Sequence, residues 1–276
     1  MDIIGRGRNP FGIEDAEQKL LWAPLYEAVL DILGSTGVII PMGDTNHEAA
    51  NRTTVTTVGE EAAVFTYSEA VSAFDTPPYS KGPGRIPIIT FNGTDEEANT
   101  PDAAYWTRAL AAMSMGIWVN LTDATSSTLL GKNTTSGDQR EWFWHLAADD
   151  KVMIMCYDED DAVAPNGAIQ TIQDVALTAS EGVWTFLAAT YDGSADATGL
   201  NLYQDGVLMA STDTDNANFA SMRGGTSVIE LGVAEFGNFL DGAVAGGPLA
   251  PFFTQVELTA DAVKRLYQLG RAAGDM

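Results

Sequence analysis

Short runs in which apolar and polar residues alternate dominate this chain, a pattern typical of β-strands with one buried face. In the run from Trp142 to Leu146, for example, Trp142, Trp144 and Leu146 share one face. The pattern predicts strands at Ile86–Phe91, Met115–Leu121, Glu141–Ala147, Val152–Tyr157, Ile169–Leu177, Val183–Tyr191, Leu200–Gln204, Val207–Thr212 and Ser227–Leu231. Because no long helical stretch separates these strands, and parallel strands need crossover helices, we expect an all-β fold built as an antiparallel sandwich.

The first third of the chain has a more mixed pattern. Residues 1–13 are rich in Gly, Arg, Asn and Pro, and we take residues 1–19 as an N-terminal arm. Residues 14–33 approximate a helical face, but Pro24 should break or start a helix, so an extended segment followed by a short helix fits equally well. Three further strands are predicted, at Gly37–Pro41, Thr53–Val58 and Ala63–Tyr67.

A loop with three Pro and two Gly, at residues 76–84, marks a structural boundary. We therefore expect the sandwich to occupy residues 85–276. Residues 20–84 are expected to form a first strand plus an inserted strand and loop region, which is a candidate oligomerisation or docking element. Whether this region belongs to the sandwich or forms a separate element stays open.

Two local signals predict a turn and a helix. Asp205-Gly206 between apolar runs is typical of a type I′ hairpin turn. Near the end of the chain the apolar period changes from two to that of a helix, which predicts one short helix over residues 259–270. Thr259 is its expected N-cap and Gly270 its expected C-cap.

The composition is that of an acidic globular protein. Hydrophobic residues make up 45% of the chain, and 38 Asp and Glu stand against 14 Lys and Arg, a formal charge of −24 at pH 7. Such a surface repels phosphate backbones and anionic lipids, so neither nucleic acid nor a membrane is an expected partner. A solvated surface explains the acidity; docking onto a basic partner and a saline environment are the alternatives.

Cysteine content and the N-terminus bear on the compartment. Cys156 is the single cysteine and lies in an apolar run, so no intrachain disulfide can form and a buried inert thiol is expected. No apolar stretch follows Arg6 and Arg8, and no run is long enough to span a membrane. We expect no signal peptide and a cytoplasmic or virion location.

The order of several short motifs resembles the laminin-G-like, or concanavalin A-like lectin/glucanase, family. Residues 182–193, reading GVWTFLAATYDG, are similar to the family's central strand, and residues 200–207, reading LNLYQDGV, to the hairpin that follows it. Further similar segments, in the family's order, are Phe91–Asp95, Gly116–Asn120, Leu129–Lys132, Ile229–Gly232, Phe239–Gly242 and Phe252–Thr259. The resemblance covers about residues 86–270 and implies a jelly-roll sandwich used for binding or assembly. It also allows Leu21–Leu25 as a first strand.

Some relatives bind calcium near the opening turn, and the resemblance puts Ala245 where they carry an aspartate ligand. Asp95, Glu96 and Glu97 are the remaining candidate ligands, with an exposed acidic turn as the alternative. We therefore expect no cofactor and keep calcium as an open alternative. The acid run at residues 158–161 is expected to be a solvated loop.

Catalytic signals are weak. Glycosidases on this fold place two carboxylates on one strand, and no predicted strand here carries such a pair. A Ser/His/Asp triad needs a histidine, and the chain has His47, in a polar loop, and His145, expected at a surface or sheet edge. No glycine-rich phosphate loop opens a helix. We expect no catalytic or cofactor-binding residues.

Three hypotheses for function follow. The first is a non-enzymatic virion protein, since the chain resembles phage-encoded laminin-G-like proteins. It would be a bacteriophage capsid decoration protein, a homo-oligomer, with a trimer as our guess. It would dock on the major capsid protein or another virion protein through Arg6, Arg8 and Phe11. The second is a carbohydrate-binding module with Tyr79, Tyr105 and Trp106 as residues that stack on sugars, although a core role for Trp106 is equally open. The third is a glycoside hydrolase or lyase.

Overall fold

The described part of the chain is built mainly from strands, with one helix near each end. The structure, a computed structural model, describes residues 16–41, 54–69, 79–81, 86–134, 136–159, 167–233 and 237–274. The helices are α1 (Ala16–Leu33) and α2 (Ala260–Gly274). The strands are β1 (Val38–Ile39), β2 (Thr54–Thr56), β3 (Val58–Gly59), β4 (Val64–Glu69), β5 (Tyr79–Lys81), β6 (Pro87–Asn92), β7 (Glu96–Thr100), β8 (Met113–Asp123), β9 (Thr128–Lys132), β10 (Trp142–Leu146), β11 (Val152–Asp158), β12 (Gly167–Gln173), β13 (Thr185–Tyr191), β14 (Leu200–Gln204), β15 (Val207–Leu208), β16 (Ser211–Asp215), β17 (Ile229–Leu231), β18 (Asp241–Ala245) and β19 (Phe252–Thr254). Neither helix in these ranges is long and apolar enough to cross a membrane.

The strands form two sheets. Sheet A has the order β15-β14-β13-β8-β18-β6-β5, with β19 paired to β8 and β1, and β1 to β3. Sheet B has the order β16-β12-β11-β10-β9-β17-β7-β4-β2. Neighbouring strands are antiparallel in both, for example β8 with β13 and β10 with β11. The predicted antiparallel sandwich is confirmed, and its strand order is consistent with a jelly roll.

The core lies between the inner faces of the two sheets. Trp142, Trp144 and Leu146 point into it together, as their alternation predicts, and none is more than 1% exposed. Phe253 of sheet A packs against Trp142, with ring centroids 5.4 Å apart. The core therefore follows from the two-residue period of the strands.

A second apolar layer covers the outer face of sheet A. Trp118 and Phe186 project from β8 and β13 toward the helices, and their rings lie 5.3 Å apart. The ring of Tyr267 from α2 stacks on Trp118 at 5.6 Å. Trp22 and Tyr26 of α1 belong to the same layer. The fold thus has three layers: a helix pair, sheet A and sheet B.

The N-terminal region differs from the sequence prediction. Leu21–Leu25 lies within α1, so the first-strand alternative is wrong, and α1 continues through Pro24. Proline inside a helix costs about 3 kcal/mol. Four large α1 side chains are each at most 4% exposed, and each contributes about 2 kcal/mol, which outweighs that cost. They are Trp22, Tyr26, Val29 and Leu33.

Residues 38–81 supply strands to both sheets. In sheet A, β1 pairs with β19, and β5 pairs with β6. In sheet B, β2 pairs with β4, and β4 pairs with β7. The described strands of this region are therefore part of the two sheets.

The predicted turn and C-terminal helix are both present. Asp205 and Gly206 have φ values of 52° and 75°, as a type I′ turn requires. Thr259 Oγ1 accepts a hydrogen bond from the Ala262 N–H at 3.2 Å, which confirms the N-cap. Gly270 is not the C-cap, because α2 continues to Gly274. A Cβ at Gly270 would come within 2.4 Å of the Trp118 ring, so close packing explains this glycine.

Candidate functional site

The outer face of sheet B lies opposite the face that the helices cover. On each strand the residues that point outward alternate with residues of the core. Register places one outward residue from each of eight strands in a single row. The row runs Thr66, Asn99, Glu230, Gly131, Phe143, Met155, Gln170 and Thr214. We call this surface the outer face of sheet B.

An aromatic cluster forms the middle of this face. It consists of Phe143, His145, Met155 and Tyr157. The His145 ring stacks on Phe143, with centroids 4.1 Å apart and planes at 19°. Phe143 lies close over strand β9, because a Cβ at Gly131 would be 3.2 Å from its Cδ2 atom. The cluster is therefore a packed apolar platform outside the main core.

His145 differs from the sequence prediction. It lies on β10, between β9 and β11, and is only 9% exposed, so the expected surface or edge histidine is wrong. Burial lowers its pKa to about 4. Its Nε2 atom is buried and has no hydrogen-bond partner among the described residues. At neutral pH the imidazole is therefore uncharged and acts as a packing surface.

Polar side chains flank the aromatic cluster. On one side lie Glu230 of β17 and Glu97 and Asn99 of β7, all partly exposed. The Asn99 amide donates to Glu97 Oε1 at 3.0 Å. On the other side lies Gln170, also partly exposed. The face combines an apolar centre with an amide and two carboxylates on one side and an amide on the other.

Sequence analysis missed the two carboxylates on this face. The pattern of carboxylates on a single strand does not extend to a pair on two strands, and residues 95–97 are predicted either as calcium ligands or as an exposed acidic turn. Glu97 instead lies in β7, and Glu230 lies on the adjacent strand β17. In the sequence, the apolar Ala98 and the β-branched Thr100 alternate with Glu97 and Asn99. This alternation could have indicated a strand with Glu97 and Asn99 on its outward face.

An ion pair closes one end of the aromatic cluster. The Arg140 guanidinium lies 4.4 Å from the centroid of the Tyr157 ring and pairs with Glu159. The Arg140 N–H also donates to Glu159 Oε2 at 2.9 Å. Glu159 is 1% exposed, so the solvated-loop prediction is wrong at this residue. Asp160 and Asp161 lie outside the described residues.

A second charged cluster is buried inside the sandwich. Lys132 Nζ lies 2.6 Å from Glu141 Oε2 and 3.1 Å from Asp102 Oδ1. It also donates to Thr107 Oγ1 at 2.9 Å and to the Gly225 carbonyl at 2.8 Å. Burial raises the pKa of Glu141, and the bond from Lys132 opposes that shift. Because several acceptors surround the Lys132 ammonium, all of its N–H donors are used. The cluster therefore connects the neighbouring loops to β9 and has a structural role.

The remaining nucleophile candidate is inert. Cys156 is a free thiol and fully buried, as the sequence predicts. Burial raises its pKa far above the usual range. A thiol without access to solvent and without a thiolate at neutral pH does not react.

The structure places the predicted sugar-stacking residues away from the outer face of sheet B. Trp106 is fully buried and packs edge-on against Phe65 at 6.1 Å, the core role left open for it. Tyr105 is 8% exposed, and its hydroxyl donates to the Thr36 carbonyl at 2.5 Å. Tyr79 begins β5, opposite Ile89. The predicted docking residues lie outside the described part of the chain: Arg6, Arg8 and Phe11.

The candidate calcium ligands do not converge. Asp95 Oδ1 accepts a bond from the Asn92 amide at 2.8 Å, which closes the opening turn. Glu96 and Glu97 continue into β7, and Ala245 is buried beneath the helix pair. No group of three or more His, Cys, Asp or Glu in the described ranges is placed to hold a metal ion. The expectation of no cofactor, with calcium as an open alternative, stays a prediction.

Comparison with known proteins gives one family and a set of similar structures. The family described as the concanavalin A-like lectin/glucanases superfamily matches residues 92–246. No curated protein matches the chain. Domain 4 of AbnA, an extracellular arabinanase of Geobacillus stearothermophilus solved in complex with arabinotriose, has a TM-score of 0.53 at 17% identity over 85% of this chain and 98% of that domain.

Two botulinum neurotoxin structures are similar as well. The botulinum neurotoxin serotype G binding domain has a TM-score of 0.58 at 10% identity over 86% of this chain. The type C toxin, whose cell entry depends upon interaction with two ganglioside molecules, has a TM-score of 0.55 at 9% identity over 89% of this chain. The chain spans 51% and 52% of those two structures. At such identities the likeness concerns the fold.

Proposed function

Since the chain belongs to the concanavalin A-like lectin/glucanase superfamily, we propose that it is a non-catalytic carbohydrate-binding protein. The outer face of sheet B is its ligand face. The observation that carries this proposal is the row in which the aromatic cluster is flanked by amides and carboxylates. Phe143 and Met155 lie at its centre, and Asn99 and Gln170 on either side.

A sugar ring needs two kinds of contact. Its C–H faces pack on apolar surface, and its hydroxyl groups bond to amide and carboxylate oxygens. Met155, the partly exposed member of the aromatic cluster, supplies the first kind of surface, and the buried rings of Phe143 and Tyr157 hold it in place. Asn99, Glu230 and Gln170 supply the second. These groups lie on paired strands, so the sheet rather than a loop fixes their spacing.

Charge restricts the ligand class. The chain carries a formal charge of −24, and Glu97 and Glu230 lie on the proposed ligand face. Anionic glycans would be repelled by this field. We therefore propose neutral oligosaccharides, of which the arabinotriose bound to the AbnA domain is an example.

The non-catalytic part of the proposal rests on the side chains available. His145 is buried and neutral, and Cys156 is buried as a thiol. Glu97 and Glu230 are the carboxylates to test, because they face the same side from neighbouring strands. Hydrolysis of a bound oligosaccharide that is lost in Glu230→Gln would contradict this part and favour the glycosidase hypothesis.

Binding is tested on an array of neutral oligosaccharides, followed by calorimetry on the best ligand. Asn99→Ala and Gln170→Ala each remove one hydrogen-bonding amide and should weaken binding about tenfold. Asn201→Ala is the matched control, because this partly exposed amide lies on β14 of sheet A. Silence of the wild-type protein across the array, or equal losses in the control, would contradict the proposal.

Assembly into a virus particle is a second proposal. This proposal rests on the sequence alone, with the N-terminal region as the docking element. Mass spectrometry of purified particles from the source would detect the chain if it is a virion protein. Absence from those particles would end this proposal.

A further inference from the structure

A groove runs between the two helices. Its wider part has a volume of about 460 Å³ and is lined by apolar residues. They include Trp22, Leu25, Ala28, Ile86, Leu269 and Ala273. The groove continues past Ala28 and Leu269 to Asp31 of α1 and Arg265 of α2. We call the whole feature the helix groove.

Helix α1 is more apolar than one covered face requires. Its fully buried side packs on sheet A, yet Leu25, Leu30 and Ile32 beside that side are only partly buried. In the described side chains of α1, from Trp22 to Leu33, charge is confined to Glu27 and Asp31. A helix with apolar residues around most of its circumference is typically covered by more than one neighbour.

The two walls of the helix groove carry opposite charge. Asp31 is exposed on the α1 wall and Arg265 on the α2 wall. No salt bridge within 4.0 Å joins the two in the described part of the chain. On α2 the three basic residues Lys264, Arg265 and Arg271 outnumber the single acidic residue Asp261, whereas the charged residues of α1 from Trp22 to Leu33 are all acidic.

We propose that a second copy of this chain covers the helix groove. A two-fold axis would set α1 of each copy against α2 of the other. The contact between Asp31 of one copy and Arg265 of the other would then form two times, once in each direction. An interface of this kind must be complementary to itself, and an acidic wall beside a basic wall meets that requirement. The small side chains of Ala28, Ala272 and Ala273 let helices approach closely.

The dimer does not depend on carbohydrate binding. The helix groove and the outer face of sheet B lie on opposite sides of the three-layer fold, so both copies keep that face free. Failure of either proposal therefore leaves the other unaffected.

The oligomeric state of the full chain is measured by sedimentation equilibrium from about 1 to about 100 µM. The wild-type protein should be a dimer in this range. Asp31→Arg or Arg265→Asp alone should weaken association about tenfold or more, because each replaces two attractive pairs by two repulsive ones. The double charge exchange should restore the dimer.

Two further variants complete the test. Lys264→Asp makes the same change of charge on α2 but beside Gly206 rather than in the groove, and should leave the dimer intact. Ala272→Arg places a long side chain in the groove from an exposed position and should abolish association.

Several outcomes would overturn the proposal. If the wild-type protein is a monomer, the groove is covered by another part of the chain or by a different protein, and the proposal is wrong. A trimer would require a different symmetry. A dimer unchanged by Ala272→Arg, or a charge exchange that fails to restore association, would place the interface elsewhere.

Discussion

The two outer faces of the sandwich differ in what covers them. The outer face of sheet A carries large apolar side chains, such as Trp118 and Phe186, beneath two helices. The outer face of sheet B carries a small aromatic cluster with polar groups around it. Both faces arise from the same alternation along strands. The difference shows that the use of a sheet face depends on distant segments, since α1 and α2 come from opposite ends of the chain.

The largest expected effect comes from the face under the helices. Trp118→Ala should lower the free energy of unfolding by about 3–5 kcal/mol, because it leaves a cavity between sheet A and α2. Urea denaturation followed by circular dichroism measures this. Val207→Ala is the control, since that side chain is 63% exposed, and should change stability by less than about 0.5 kcal/mol. A loss below about 1 kcal/mol in Trp118→Ala would mean that the helices contribute little.

The next largest effect is expected in the pH dependence of stability, and it comes from His145 on the outer face of sheet B. The unfolded imidazole of His145 has a pKa of 6.5, and burial on the outer face of sheet B lowers the folded value to about 4. Between these values the unfolded chain binds a proton that the folded chain does not. Stability is therefore full above pH 6.5 and falls as the pH drops to 4, by up to about 3 kcal/mol.

The measurement compares wild type with His145→Phe across this pH range, so that contributions from other groups cancel. Between pH 6.5 and 4 the variant should lose up to about 3 kcal/mol less stability than the wild type. A titration of the His145 ring by NMR should give an apparent pKa near 4. A value close to 6.5 would show that the aromatic cluster is open to water.

The smallest expected effect compares one glycine on each face. A Cβ at Gly116 of sheet A would lie 2.4 Å from the Phe252 ring, whereas one at Gly131 of sheet B would lie 3.2 Å from Phe143. Gly116→Ala should therefore cost about 2 kcal/mol and Gly131→Ala less than about 1 kcal/mol. Thermal denaturation of both variants shows which substitution lowers the stability more. Equal costs would indicate that the aromatic cluster is packed as rigidly as the layer under the helices.

The sequence predicted most of the sandwich because its core strands obey a simple two-residue period. Trp142 and Trp144 show that period clearly, and Asp205-Gly206 determines its turn by backbone geometry alone. The path of α1 was not predictable, because the outcome at Pro24 depends on what Trp22 and Tyr26 bury against sheet A. Local signals contain no information of this kind.

The candidate ligand face was harder to predict for a different reason. Asn99, Glu230, Phe143 and Gln170 come from four strands that are far apart in sequence. Only strand order and register bring them into one row, and neither can be read from a single sequence. The residues that were predicted from their type alone, Tyr105 and Trp106, are instead part of the core or close to it.

Strand β16 ends sheet B on one side, and it has a consequence for the behaviour of the protein at high concentration. Among the described strands the outer edge of β16 is unpaired, and such an edge would be a template for strand addition by another chain. Asp213 and Asp215 are exposed on this strand, so two identical edges would bring carboxylates together. Charge repulsion at β16 should therefore oppose fibrillar stacking of sheets, even in a chain rich in β-structure.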